Sequence, residues 1–287
     1  MNTKQYSYTS EKKFIAINWF KIISYLIISI GTFLVALPFF WMLSTSLKEP
    51  ANIFAFPPKW FPAPITFRNY YEAITVLPFA RFLLNTILVA VFIVIGQVLS
   101  CSLGAFAFAR LKFPGSNLIF SMYLSTLMVP EIVTLIPNFI LIKTFNWIDT
   151  YNALIAPNLF GTAFGTFLLR QFFLTIPEEL IEAAKIDGYG VLRIIFQIIM
   201  PLSKPALTSL GIYVLVKVWN DFMWPLTVIN STEMKTLAIG LTSFQGLVVS
   251  NWGVIMAGAV YTMVPLVLVF LFAQKYFIEG MTMTGFK

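Results

Sequence analysis

Three ionisable side chains set in apolar sequence, Glu131, Lys217 and Asp221, are the places where this chain could do chemistry. A charge in hydrocarbon is costly, so such residues usually face a bundle interior or an aqueous path and find a partner. Lys217 and Asp221 stand four apart, which puts them on one helix face and lets them pair. That spacing suits a buried pair that fixes helix packing, and it equally suits a lining for a solute path. Glu131 follows Pro130, with Pro137 beyond it, and proline frees backbone carbonyls toward such a path. A hydrogen-bonded packing role for Glu131 remains open. Beside Asp221 stand Trp219, Asn220 and Trp224. Planar hydrogen-bonding groups above aromatic faces can hold a sugar ring, whose C–H patches are apolar, but an aromatic belt at a membrane interface explains the tryptophans as well.

What is missing narrows the chemistry further. The chain has no histidine and one cysteine, Cys101, so zinc clusters, disulfides and a Ser-His-Asp triad are unavailable to it. Cys101 lies in an apolar run and reads as a small packing residue. No Gly-Lys dipeptide occurs, hence no phosphate-cradling P-loop, and any ATP must be hydrolysed elsewhere. With no carboxylate dyad at one depth either, a membrane-embedded enzyme is disfavoured, and no catalytic residue and no cofactor are assigned to this chain. The formal charge of +7 is spread between apolar runs and forms no stripe, which argues against nucleic acid.

A second group of residues suits contact with a partner. Thr175-Ile176-Pro177-Glu178-Glu179-Leu180-Ile181-Glu182-Ala183-Ala184-Lys185-Ile186-Asp187-Gly188 reads as a short helix with marked ends. Thr175 is placed to cap it with Glu178 three residues on, Pro177 fits the first turn, and the acidic residues there complement the helix dipole. Gly188 can take the left-handed stop. A further helical run leads through Arg193 to Pro201, before Pro205 opens the next span. Small Ala183 and Ala184, flanked by Glu182 and Asp187, suit docking in a groove on another protein; a solvated amphipathic loop helix is the plain alternative.

The elements that must position these residues are membrane helices. Of 287 residues, 59% are hydrophobic and 11% charged, too few polar groups to cover a water-soluble globule of this size. A span needs roughly 20 apolar residues. Six segments qualify, at about 19 to 46, 82 to 109, 117 to 141, 152 to 173, 205 to 228 and 254 to 277, so an all-α polytopic protein with six transmembrane helices is expected. Residues 1–18 form a polar cytoplasmic segment ahead of a retained signal anchor, and 19–287 a single transmembrane domain with its chief inner loop at about 174–204. Lys4, Lys12, Lys13, Arg110, Lys112, Arg170 and Lys204 then lie on the inner side, which favours both termini in the cytoplasm. The fourth span is diluted by Asn158, Gly161, Thr162, Gly165 and Thr166, and small residues of this kind pack helices closely where lipid supplies no hydrophobic drive. The Pro- and aromatic-rich stretch from about 48 to 81 has the composition of an interfacial outer loop.

Glu182-Ala183-Ala184, then Asp187-Gly188, then Leu202 between Pro201 and Pro205, resembles the EAA loop of ABC-importer permeases. The likeness extends along nearly the whole chain and is greatest to MalG-like carbohydrate permeases, through Ser44-Thr45-Ser46-Leu47-Lys48, Ala105-Phe106-Ala107-Phe108-Ala109-Arg110-Leu111-Lys112-Phe113-Pro114-Gly115, Trp219-Asn220-Asp221 with Trp224-Pro225-Leu226, and Gln274-Lys275-Tyr276-Phe277-Ile278-Glu279-Gly280. The resemblance implies a type I importer permease of MetI-like architecture in a prokaryotic plasma membrane. It further implies a second, related permease, an ATPase dimer that holds ATP and magnesium, and an extracellular solute-binding protein that delivers carbohydrate, with an oligosaccharide as the expected cargo. Glu182, Ala183, Ala184, Asp187 and Gly188 would form the coupling helix in a cleft of the ATPase. The tail at Glu279 and Gly280 would approach the ATPase too, although Glu279 stands where a basic residue is common and Phe286-Lys287 replaces the usual small residues. Thr242-Ser243-Phe244-Gln245-Gly246 would face the binding protein. Peptide or phosphorylated-polyol permeases share the loop motif, and an ion-coupled secondary transporter using Glu131 and Asp221 is the rival outside the family.

Overall fold

The computed structural model describes residues 19–243 and 251–282, with backbone alone for 275–282. The described residues are helical and hold no strand. Three helices, α1 (Trp19–Ser46), α3 (Phe79–Arg110) and α13 (Trp252–Thr282), are long and apolar enough to cross a bilayer, with mean hydropathies of 2.3, 2.5 and 2.4 in their most apolar windows. Between α1 and α3 lies the amphipathic α2 (Arg68–Thr75).

The other three expected spans are broken. Ser116–Met128 (α4) and Glu131–Thr144 (α5) meet at 96°, Tyr151–Asn158 (α6) and Ala163–Phe173 (α7) at 46°, and Val191–Leu202 (α9) and Lys204–Trp219 (α10) at 86°. Six crossings result if each bent pair is one span. The straight third span expected over 117 to 141 is therefore corrected: Pro130 lacks a backbone N–H and forces Val129 out of the helical region, to ψ 114°. The fifth, expected as continuous to 228, stops at Trp219. Asn220, Asp221 and Phe222 lie outside helix before α11 (Met223–Val228) begins.

Helix α3 is central and packs against α7 and α10. Close approach there depends on glycine. A Cβ on Gly165 would sit 2.7 Å from Cys101 Sγ and 3.0 Å from Leu210, and one on Gly161 2.9 Å from the Cys101 backbone nitrogen. Cys101 is fully buried between these helices, as a packing residue, and its thiol points at the Thr162 carbonyl. The small-residue face of the fourth span is thus the one buried against protein. In α1, only Ser44, Thr45 and Ser46 are buried, and the helix packs chiefly on α13.

Side-chain amides and a carboxylate tie the loops together at the end where α3 begins, called here the far end. Asn69 Nδ2 donates to the carbonyls of Ser46 (2.9 Å) and Lys48 (2.8 Å). Asn85 Nδ2 donates to those of Glu233 and Lys235 while its oxygen accepts from Tyr151 Oη at 2.6 Å. Asp149, at φ 63°, accepts at 3.0 Å from the backbone N–H groups of Asn230 and Ser231 and from the Ser231 hydroxyl. Burial alone would raise the Asp149 pKa, but the three donors outweigh it and hold the carboxyl below the usual carboxylate range.

Candidate functional site: a docking helix and a polar cavity

At the opposite end, the loop end, α8 (Glu178–Ile186) forms where the sequence expects it. Its start differs. The residue before the helix is Pro177, with no side-chain cap, and the Thr175 hydroxyl donates instead to the Phe172 carbonyl of α7 at 2.7 Å. Thr175 thus ends the preceding helix, because Pro177 holds an extended ψ of 135° and carries the chain away from it. Glu178 and Glu179 occupy the first turn, where they suit the dipole. Termination follows a Schellman motif. Gly188 sits at φ 81°, its N–H donates to Lys185 O (3.0 Å), and Tyr189 N–H donates to Ala184 O (2.9 Å).

The two alanines do not share a role. Ala184 is buried with Ile181, in the cluster that includes Phe106, Phe173 and Ile199, so it seats α8 on its own chain. Glu182 and Ala183 point outward, as does Ile186, 86% exposed. Glu179, Glu182, Ala183 and Ile186 follow i, i+3, i+4, i+7 spacing and form one outward stripe. Ile186 was missed in the sequence, although that spacing was visible there. Asp187 and Gly188 are exposed beyond the last turn.

The base of this loop is held by arginine. Arg110, the last residue of α3, donates through one terminal nitrogen to the carbonyls of Phe173 (2.7 Å) and Ile176, where α7 ends and the loop begins. In return Arg170 of α7 donates to Phe108 O at 3.1 Å and lies over the Phe120 ring. Sequence reasoning counted both arginines only as inner-side charges.

Within the bundle, a cavity of about 720 Å³ opens between α5, α10 and the 220–222 break. Glu131, Lys217, Asn220, Asp221 and Trp224 all line it. Their pairing is not as expected. Lys217 Nζ donates to Glu131 Oε1 and forms the ion pair with it, 86 positions away in sequence, while Asp221 Oδ1 accepts the Trp224 backbone N–H at 3.3 Å. The helix breaks at Asn220, so the four-residue spacing no longer puts Asp221 on the Lys217 face. Trp219 is also corrected. It is buried away from the cavity among Phe79, Phe82 and Leu237, with its indole N–H on Thr262 O at 3.1 Å. Trp224 lines the cavity and anchors its indole on Ala153 O at 2.9 Å. Thr134, Asn138, Asn158 and Thr162 complete the polar wall. Sequence reasoning did not assign them to a path, although Glu131, Thr134 and Asn138 share one helix face.

Of the remaining expected sites, Thr242 closes α12 (Leu237–Thr242) with its hydroxyl on Ile239 O, and Ser243 accepts from Lys235 Nζ at 2.9 Å. Phe244, Gln245 and Gly246 lie outside the described residues, as do Phe286 and Lys287. Glu279 and Gly280 fall within the α13 backbone.

Residues 100–283, which contain both the docking helix and the cavity, match the family described as binding-protein-dependent transport system inner membrane component. The chain belongs to this family. Among curated members, the sn-glycerol-3-phosphate transport system permease protein UgpE of Brucella abortus (strain 2308) is 34% identical over 272 residues, covering 92% of this chain and 96% of the relative. Its namesake in Yersinia pestis is 32% identical over 268 residues, covering 91% and 95%. A solved bacterial ABC transporter involved in import of the acidic polysaccharide alginate superposes with a TM-score of 0.81 at 23% identity, over 96% of this chain and 100% of that one. That same fold, shared at this low identity, supports the MetI-like permease architecture.

Proposed function

We propose that this chain is the permease subunit of an ATP-driven carbohydrate importer and works beside a second, related permease. A separate ATPase dimer, holding ATP and magnesium, sits under the loop end, and an extracellular solute-binding protein delivers sugar at the far end. Both termini are then cytoplasmic. The observation that carries this reading is α8 itself: a helix seated on its own chain by Ile181 and Ala184, with Glu182, Ala183 and Ile186 exposed among the described residues.

Closure of the ATPase dimer moves α8. Arg110 and Arg170 join the root of that helix to α3 and α7, and α3 packs on α10, whose Lys217 lines the cavity, so the displacement can reach it. A ligand or nucleotide shifts such an equilibrium only through contacts that differ between its states. The outward stripe of α8 provides them for the ATPase, and Asn220, Asp221, Trp224, Glu131 and Lys217 provide them for the sugar. Glu279 and Gly280 approach the ATPase, while the 242–246 segment faces the binding protein.

Carbohydrate as cargo is supported by amides, a carboxylate and an indole around one cavity, and by the names of the relatives. The test uses the single cysteine. Cys101 is buried, so Ala183→Cys supplies one accessible thiol on α8. In membranes carrying the full complex, a short bifunctional cross-linker from position 183 should capture the ATPase, and nucleotide should change the yield. Absence of any ATPase adduct in an assembled, active complex would remove the coupling assignment.

A further inference from the structure

We propose that the cavity takes uncharged saccharides and turns away phosphorylated or uronic ones. The inference rests on the carbohydrate-importer reading and deepens it. Three charged side chains line the wall that this chain contributes: Glu131, Asp221 and Lys217. The only cation among them, Lys217, is already engaged by Glu131. By formal charge, Asp221 is left as the charged residue of this wall without an ion-pair partner among the described residues.

Two helix N-termini reach this wall, that of α5 and, through Thr162, that of α7. Helix N-termini favour anions, but Glu131 is the first residue of α5 and supplies the negative charge there, and at α7 the Thr162 hydroxyl already accepts the Gly165 N–H. The rest of the polar wall is neutral, made of Asn138, Asn158, Asn220, Thr134 and Thr162. An anionic ligand placed here would meet the Asp221 carboxylate and, among the described lining residues, no cation free of a partner, and like charges set side by side disfavour such a ligand.

A neutral sugar meets the reverse situation. An ionised carboxylate has about four acceptor positions, and among the described residues Asp221 receives one donor, the Trp224 N–H. Acceptor capacity is left for ligand hydroxyl groups, and the adjacent Trp224 and Phe222 rings offer faces for C–H patches. The ligands named for the similar proteins, sn-glycerol-3-phosphate and alginate, are anionic, so on this reading their charge is not inherited.

The experiment uses the full complex with its cognate binding protein in proteoliposomes. Neutral oligosaccharides, glycerol 3-phosphate and uronate oligosaccharides of matched length are compared for stimulation of ATP hydrolysis. The same labelled probes are also titrated directly onto the complex trapped with ATP and vanadate, which separates the cavity from the selectivity of the binding protein. Neutral probes should stimulate severalfold and bind, and the anionic ones should do neither. Stimulation or cavity binding by an anionic probe equal to that of a neutral one overturns the proposal and leaves the importer reading standing. If no saccharide of either kind stimulates, the importer reading falls and takes the proposal with it. Asp221→Asn keeps an acceptor for the Trp224 N–H, so the helix break survives. It should lower the sugar-stimulated increment about tenfold in complex that elutes assembled, and an unchanged increment would overturn the role given to Asp221.

Discussion

Replacing Arg110 with alanine should uncouple ATP hydrolysis from transport without touching either the docking stripe or the cavity. One guanidinium nitrogen serves two carbonyls, those of Phe173 and Ile176, at the junction from which α8 hangs. Hydrogen bonds from a charged donor contribute about 1.5 to 3 kcal/mol each. Phe173 and Ile176 are buried, but the space left by the arginine side chain would admit water to the freed carbonyls, so the lower value applies and the pair is worth about 3 kcal/mol. At 1.4 kcal/mol per factor of ten, the fraction of molecules with this root detached rises about 100-fold. The assay is the ratio of substrate-stimulated to basal ATP hydrolysis in the reconstituted complex, and it should fall toward one. Arg110→Lys, whose ammonium can still donate, should keep an intermediate ratio. A wild-type ratio in an assembled Arg110→Ala complex would refute the idea that this arginine transmits motion.

Gly188 at φ 81° has open space where a Cβ would go, so substitution there meets backbone strain alone, about 1 to 2 kcal/mol for an ordinary residue. Stimulated hydrolysis should decline in the order Gly, Asn, Ala, Val, and Gly188→Pro, which also loses the N–H bonded to Lys185 O, should abolish it; equal activity across the series would contradict the Schellman stop. Glu131→Lys sets two ammonium groups face to face and should cut sugar uptake, while adding Lys217→Glu should restore it, with a pair energy below about 1 kcal/mol because both side chains are well exposed. A double variant no better than the single ones would dissolve the pair. Because the Asp149 pKa is depressed on folding, its contribution to stability is fully present above the unfolded value, about 3.9, and is lost as pH falls through the lower folded value. Thermal melts of wild type and Asp149→Asn should therefore converge only in strong acid, and a constant difference at every pH would exclude this linkage.

Much of the docking element was legible because its signals are local. Carboxylates in the first turn and glycine at the stop mark α8, with its start read two residues early at Thr175, and Gly161 and Gly165 announced the tight face against α3 through their size alone. Thr175 misled because a capping residue and a helix-ending residue look the same until the direction of the chain is known. Hydropathy also passed over Pro130, since a run of apolar residues scores alike whether straight or bent at 96°.

The sequence by itself determined that this chain is a helical membrane protein without a P-loop motif, that a helix stopped by glycine lies in one polar loop, and that a few polar residues are set in apolar spans. Those follow from composition and short-range turn chemistry. Tertiary structure decided that Lys217 reaches Glu131 rather than Asp221, that Trp224 faces the cavity while Trp219 is buried behind it, and that Ala184 faces inward while Ala183 faces out. Such choices depend on where a helix breaks and what packs beside it, and a contact spanning 86 residues leaves no periodic trace in the chain.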